Sequence, residues 1–170
     1  DRNVEGYGIS DEGIDFARDN GFSLIIALDC GIKSVDKIDY ANSVGVDFII
    51  CDHHLPGEKL PNAVAVLDPK RKDCRYPYKE LSGCGVGFKL CQGLNTIYKI
   101  PESELFELTD LLAISIASDI VAMTGENRVL AMQGLKFLRK TRKFGLRLLI
   151  PEEKLAHFEI SNIVFDIAPK

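Results

Sequence analysis

No apolar run in this 170-residue sequence approaches the roughly 20 residues that a membrane-spanning helix needs. The longer ones, such as residues 24–28 and 111–116, are about the length of a buried strand or a short helix, so no contact with a membrane is expected. The charged opening is not followed by an apolar stretch, so no secretory signal is expected. The cysteines (Cys30, Cys51, Cys74, Cys84 and Cys91) are odd in number and contain no CxxC, which argues against a disulfide framework or a zinc ribbon. Cys30 and Cys51 end apolar runs, where cysteine acts as a small hydrophobe, and a reducing, cytoplasmic setting is expected. There is no internal repeat and no low-complexity tract. Excess positive charge is also lacking: the net charge of −4 argues against a nucleic-acid partner, which usually selects basic proteins. A carboxylate-rich metal site would lower that balance, and the positive charge is clustered. Lys136, Arg139, Lys140, Arg142, Lys143 and Arg147 share a stretch free of acids.

What is present, 46% apolar and 27% charged residues, describes a globular chain with a core of its own. Ser10 precedes an amphipathic stretch, residues 11–20, closed by Gly21, which predicts a capped helix. Residues 23–29 (SLIIALD) read as a buried strand ending in an acid. Ser34 opens a second helix with Val35, Ile38, Ala41 and Val44 on one face, stopped by Gly45. Residues 46–52 (VDFIICD) and 63–68 (AVAVLD) are two further strands, the latter closed by Pro69. Strands alternating with helices predict βαβ units and a parallel sheet with helices on both faces. Right-handed crossovers then bring the strand C-termini, with Asp29 and Asp52, to the one edge where open α/β sheets bind ligands. The second half is helical: residues 85–98, 104–118, 126–141 and 161–167, punctuated by Gly125 and Pro151. Residues 70–77 form a polar loop.

The chemistry concentrates at Asp52-His53-His54, three potential ligands in a row at a strand end, followed by Leu55-Pro56-Gly57. Imidazole and carboxylate together suit Mn²⁺, Fe²⁺ or Zn²⁺ better than Ca²⁺; the alternative is an exposed polar turn. Asp29, followed by Cys30-Gly31, is a second candidate, its alternative being a cap for the helix after Ser34. Asp119 lies in the apolar segment ISIASDIVAM, where a charge is costly unless paired or bound to metal; the alternative is a helix-end residue reaching solvent. Asp29, His53 and Asp119 would make a two-carboxylate, one-imidazole set that leaves positions open for water and phosphate. His54 is a further ligand or a contact to the phosphate or leaving oxygen. Gly83 and Gly85, in SGCGVG before a helix, suit either an anion-binding helix start or a tight packing turn. Lys140 and Arg142 suit either phosphate contact or a solvated helix face.

Taken together, these residues resemble the DHH phosphoesterases and, within them, the RecJ branch. ALDCGI at residues 27–32 is similar to the second motif, usually V-D-N-G-I; CDHHLPGEKL at residues 51–60 to the third, including the LPG of that branch. LDP at residues 67–69 and LSGCGVGF at residues 81–88 match a family NP and the following helix start. ASDIVAM at residues 117–123 is similar to the fourth motif, usually V-A-D-V-V-P-L, and NRVLAMQG at residues 127–134 to the N-R-x-L-x-x-x-G after it. The opening NVEGYGIS, residues 3–10, looks like the segment after the first motif. Cys30 replaces the usual Asn, and Ala122-Met123 the usual Pro-Leu; neither removes a ligand.

The resemblance implies an α/β catalytic domain over residues 1–124 and a helical continuation over 125–170. It makes Asp29, His53 and Asp119 metal ligands, His54 a catalytic or second-metal residue and Asp52 their supporting partner. The implied activity is Mn²⁺- or Mg²⁺-dependent hydrolysis of single-stranded DNA from the 5′ end, in repair and recombination, with a helicase and a single-strand-binding protein as partners. The chain opens on Asp1 rather than Met. The family's Asp-rich first motif is expected before it and a substrate-gripping second domain after Lys170, so residues 1–170 alone are expected to be inactive or nearly so. The rival readings are another enzyme of the superfamily, acting on pyrophosphate, nano-RNA or cyclic dinucleotides, and a non-catalytic DNA-binding module.

Overall fold

The structure is a computed structural model that describes residues 6–150 and 152–168. Residues 3–5 of the opening segment, Pro151, and residues 169–170 at the end of the DIAPK segment lie outside the described residues. The chain divides into two compact units, Asp1–Lys79 and Glu80–Lys170.

The first unit begins with α1 (Asp11–Asp19), whose N-cap Ser10 accepts the Gly13 N–H at 3.1 Å and whose first turn carries Asp11 and Glu12. β1 (Leu24–Leu28), α2 (Val35–Ser43), β2 (Asp47–Cys51) and β3 (Ala65–Leu67) follow. The strands form a parallel sheet in the order β1-β2-β3. Ile25 pairs with Phe48 and Ala27 with Ile50, so one sheet face presents these four. Ile14 and Ala17 of α1 and Ile38 and Ala41 of α2 pack with that face into one core. Both helices thus lie on the same side. The expected second helical layer is not supplied within this unit among the described residues. Leu24, Ile26 and Leu28, whose side chains alternate onto the other face, are 45%, 47% and 54% exposed.

The second unit is helical. α3 (Gly83–Tyr98) starts at Ser82, whose hydroxyl accepts the Gly85 N–H at 3.2 Å. The single helix expected over residues 104–118 is two: α4 (Glu102–Glu107) and α5 (Thr109–Ser118). A tight turn at Leu108 separates them, with the Leu108 N–H on Leu105 O at 3.1 Å and the Thr109 hydroxyl on Phe106 O. α6 (Gly125–Leu138) crosses α5 closely at Gly134, where a Cβ would stand 2.1 Å from Thr109 O and 2.8 Å from the Ala113 Cβ. Sequence periodicity did not reveal α7 (Phe144–Leu149) or α8 (Glu152–Leu155), each under two turns long. The helix expected over residues 161–167 is a short α9 (Ile160–Asn162), with Glu159 as its cap, continued as π-helix over Ile163–Ile167. Among the described residues no helix is long and apolar enough to cross a membrane.

Candidate metal centre

The register pairs Leu28 with Cys51 and Cys51 with Leu67, so the residues that follow, Asp29, Asp52 and Asp68, stand in a row at the C-terminal edge of the sheet. The ladder runs one step further, with Asp29 N–H on Cys51 O at 2.8 Å and Asp52 N–H on Leu67 O at 2.9 Å. Asp29 then turns sharply at φ +66°, a left-handed conformation that Asp tolerates better than most residues. This turn leaves its side chain 50% exposed, facing His53: Asp29 Oδ1 lies 3.1 Å from His53 Nε2.

Asp52 is the structural keystone of the DHH turn. It is 1% exposed, and its Oδ2 accepts the Ile32 N–H at 2.9 Å. Its Oδ1 accepts the His53 N–H at 2.7 Å, the His54 N–H at 3.2 Å and the His54 Nδ1–H at 2.7 Å. Burial opposes ionisation, but the donors from Ile32, His54 and His53 outweigh it and hold the carboxyl below the usual carboxylate range. With Nδ1 occupied by Asp52, His54 presents Nε2 outward, and the two imidazoles meet edge-on with centroids 4.6 Å apart.

Asp29, His53 and His54 each offer a ligand atom, all within 4.8 Å of one another. With metal–ligand bonds of about 2.1 Å, two ligands stand at most about 4.2 Å apart, so side-chain rotations of a few tenths of an ångström close the set. One carboxylate oxygen and two imidazole nitrogens are a donor set for a borderline divalent ion, and a carboxylate already orients one imidazole. The residues therefore fit such an ion. Cys30 is not among the converging ligand atoms; burial, with the charges of Asp52 and Asp29 adding to it, pushes its thiol pKa up. Asp68, 3% exposed, was not singled out from the sequence, although it ends a strand as Asp29 and Asp52 do.

The remaining candidates lie in the second unit. Asp119 is the exposed C-cap of α5. The buried acid of that helix is Asp110, neutralised by Lys143 at 2.8 Å to each oxygen and accepting a hydrogen bond from the Thr141 hydroxyl at 2.9 Å. Gly83 and Gly85 are buried in the first turn of α3, with the Gly85 N–H already taken by Ser82. Three cations of the basic run are engaged: Lys143 on Asp110, Arg139 on Phe158 O, and Arg147 on Glu152. Lys136, Lys140 and Arg142 are exposed and make no ion pair among the described residues. Lys140 and Arg142 border a cleft of about 570 Å³, with the Lys140 ammonium 4.6 Å from the Phe137 ring centroid.

Known proteins resemble this chain in both sequence and fold. The model of the DHH family, N-terminal domain, matches residues 2–116. The single-stranded-DNA-specific exonuclease RecJ of Bacillus subtilis is 41% identical over 100% of this chain, which spans 21% of the relative. RecJ of Escherichia coli is 35% identical over 98% of the chain, which spans 31% of that relative. The chain thus covers under a third of the length of these relatives. Among solved structures, exonuclease RecJ bound to manganese matches 99% of the chain at TM-score 0.84 and 31% identity, with 42% of that structure covered. RecJ of Thermus thermophilus in complex with Mn²⁺ matches 93% at TM-score 0.78 and 29% identity, with 23% covered. A parallel sheet ending in Asp29 and Asp-His-His, and a family model spanning most of the sequence, lead to one assignment: the chain belongs to the DHH family.

Proposed function

We propose that this chain carries part of the catalytic core of a metal-dependent phosphodiesterase that removes nucleotides from the 5′ end of single-stranded DNA. The observation that carries the reading is the convergence of Asp29, His53 and His54 at the C-terminal edge of a parallel sheet. The names of the RecJ relatives and of the Mn²⁺-containing structures supply the substrate and the metal. Direction of attack, Mn²⁺ or Mg²⁺ as cofactor, and a helicase and a single-strand-binding protein as partners follow from the family resemblance, and a reducing cytoplasmic setting follows from the cysteine pattern.

In this reading Asp29 Oδ1 and His53 Nε2 hold the ion. Asp119 keeps the role that the resemblance gives it, a further ligand. A bound divalent ion supplies an acidified water and neutralises charge on the scissile phosphate. His54, its Nδ1 tied to Asp52, is held with Nε2 free to donate to or accept from the phosphate or the leaving oxygen. The exposed charges of Lys140 and Arg142 contact phosphates of the strand. Any anion at the start of α3, near Gly83 and Gly85, is held by first-turn amides other than that of Gly85. Residues 1–124 are the α/β catalytic domain without its first motif, and residues 125–170 are its helical continuation.

The test is Mn²⁺-dependent release of nucleotides by the parent protein from 5′- and 3′-labelled single-stranded and duplex DNA, with H53A as control. Loss from the 5′ end of single strands only, abolished by H53A, is expected. Turnover of pyrophosphate or dinucleotides without release from DNA would move the protein to another branch of the family. Absence of both activities and of Mn²⁺ binding would leave a non-catalytic DNA-binding module.

A further inference from the structure

Of the three aspartates in the row, Asp52 is saturated by four donors and Asp29 faces the ligand set. Asp68 differs from both. It is 3% exposed, its Oδ1 accepts the Lys70 N–H at 2.7 Å, and its buried Oδ2 has no hydrogen-bond partner among the described residues. Buried carboxylate oxygens are rarely left this way, because the lost solvation is not replaced. Burial pushes the Asp68 carboxyl pKa up; the Lys70 N–H opposes this and the charge of Asp52 reinforces it. A donor aimed at Oδ2 would relieve the cost.

Beyond Lys70, the titratable neighbours of Asp68 are Asp52 and His53. Asp52 is an ionised acceptor, so His53 is the member of the pair with a proton to give. The His53 ring is 6% exposed and turns Nε2 toward Asp29, which puts Nδ1 on the other side of the ring. A metal-binding imidazole commonly gives its second N–H to a carboxylate, which fixes both tautomer and ring orientation.

We propose that Asp68 is the positioning residue for His53: its Oδ2 accepts a hydrogen bond from the His53 Nδ1–H, directly or through one water, and so keeps Nε2 unprotonated and aimed at the ion. The DHH turn then has two carboxylate supports, Asp52 for His54 and Asp68 for His53, each at the end of a strand. This inference rests on the metal-centre reading above.

The test is Mn²⁺ binding by the full protein, measured by paramagnetic resonance of free Mn²⁺, for wild type, D68A, D68N and H53A. Folding is checked by circular dichroism. D68A is expected to weaken binding about 10- to 100-fold. D68N, whose amide oxygen still accepts from Nδ1–H, should restore most of it, and H53A should abolish it. Wild-type affinity in a folded D68A, with H53A dead, would overturn the role of Asp68 and leave the metal centre standing. Wild-type affinity in H53A would remove both. If D68A does not fold, ¹⁵N imidazole spectra of Mg²⁺-bound wild type and D68N are compared: a His53 Nδ1–H resonance that moves with D68N supports the proposal, and one that stays unchanged overturns it.

Discussion

Replacing Asp52 by Asn tests whether the DHH turn is held by a charged acceptor rather than by shape alone. The carboxylate, 1% exposed, accepts from Ile32 on one oxygen and from His53 N, His54 N and His54 Nδ1 on the other. An Asn of the same size offers one acceptor and one donor. With its oxygen toward the three His donors, its NH₂ faces the Ile32 N–H, donor against donor. Losing one charge-assisted bond and stranding a buried donor costs about 2–4 kcal/mol. With a urea m-value of about 2 kcal/mol/M, the midpoint of the transition that reports the sheet unit falls by about 1–2 M. The sequence has no tryptophan, so far-UV circular dichroism is the suitable probe. The sign of the pH effect follows from the depressed folded pKa of Asp52. Its contribution is complete above the unfolded carboxylate value of about 3.9 and is lost as pH falls through the lower folded value. D52N should remove that part of the acid destabilisation. A variant as stable as wild type at pH 7, with an unchanged acid limb, would refute the reasoning.

Other perturbations test the rest. G134A pushes a methyl group into Thr109 O and Ala113 and should destabilise the helical unit by about 1–3 kcal/mol or more, read by urea titration. K143M leaves Asp110 buried without its cation and should cost about 2–4 kcal/mol, partly recovered in the D110N/K143M double variant. If Lys140 and Arg142 contact phosphates, the double alanine variant should lower the slope of log affinity against log salt for single-stranded DNA by about 1.4, from about 0.7 per contact. An unchanged slope, measured by fluorescence anisotropy, would make them solvated surface.

Much of the sheet unit was legible because local signals agreed with the tertiary outcome. Ser10 and Gly21 bracket α1, Gly45 ends α2, and three short apolar runs ending in Asp are β1, β2 and β3. Burial on a parallel sheet demands such continuous runs, and the acids at their ends follow from the ligand-binding edge. The Asp-His-His motif and its family resemblance were legible for the same reason: ligand chemistry is written in residue type and spacing.

Other features depend on partners far away in sequence. The expected helix over residues 104–118 breaks at Leu108, where the turn is set by bonds to Leu105 and Phe106 rather than by any Pro or Gly. Apolar surroundings drew attention to Asp119, yet the acid buried in α5 is Asp110, balanced by Lys143 and Thr141 some thirty residues later. The basic run reads as uniform charge, but Arg139 and Lys143 bond to Phe158 O and the buried Asp110, Arg147 pairs with Glu152 at the surface, and Lys136, Lys140 and Arg142 are left to solvent. The sequence by itself determined the strand–helix alternation, the strand-end acids and the family. Only the tertiary structure decided that strand register lines up Asp29, Asp52 and Asp68, and which imidazole nitrogen each neighbour engages, because register and hydrogen-bond direction are set between strands and not along them.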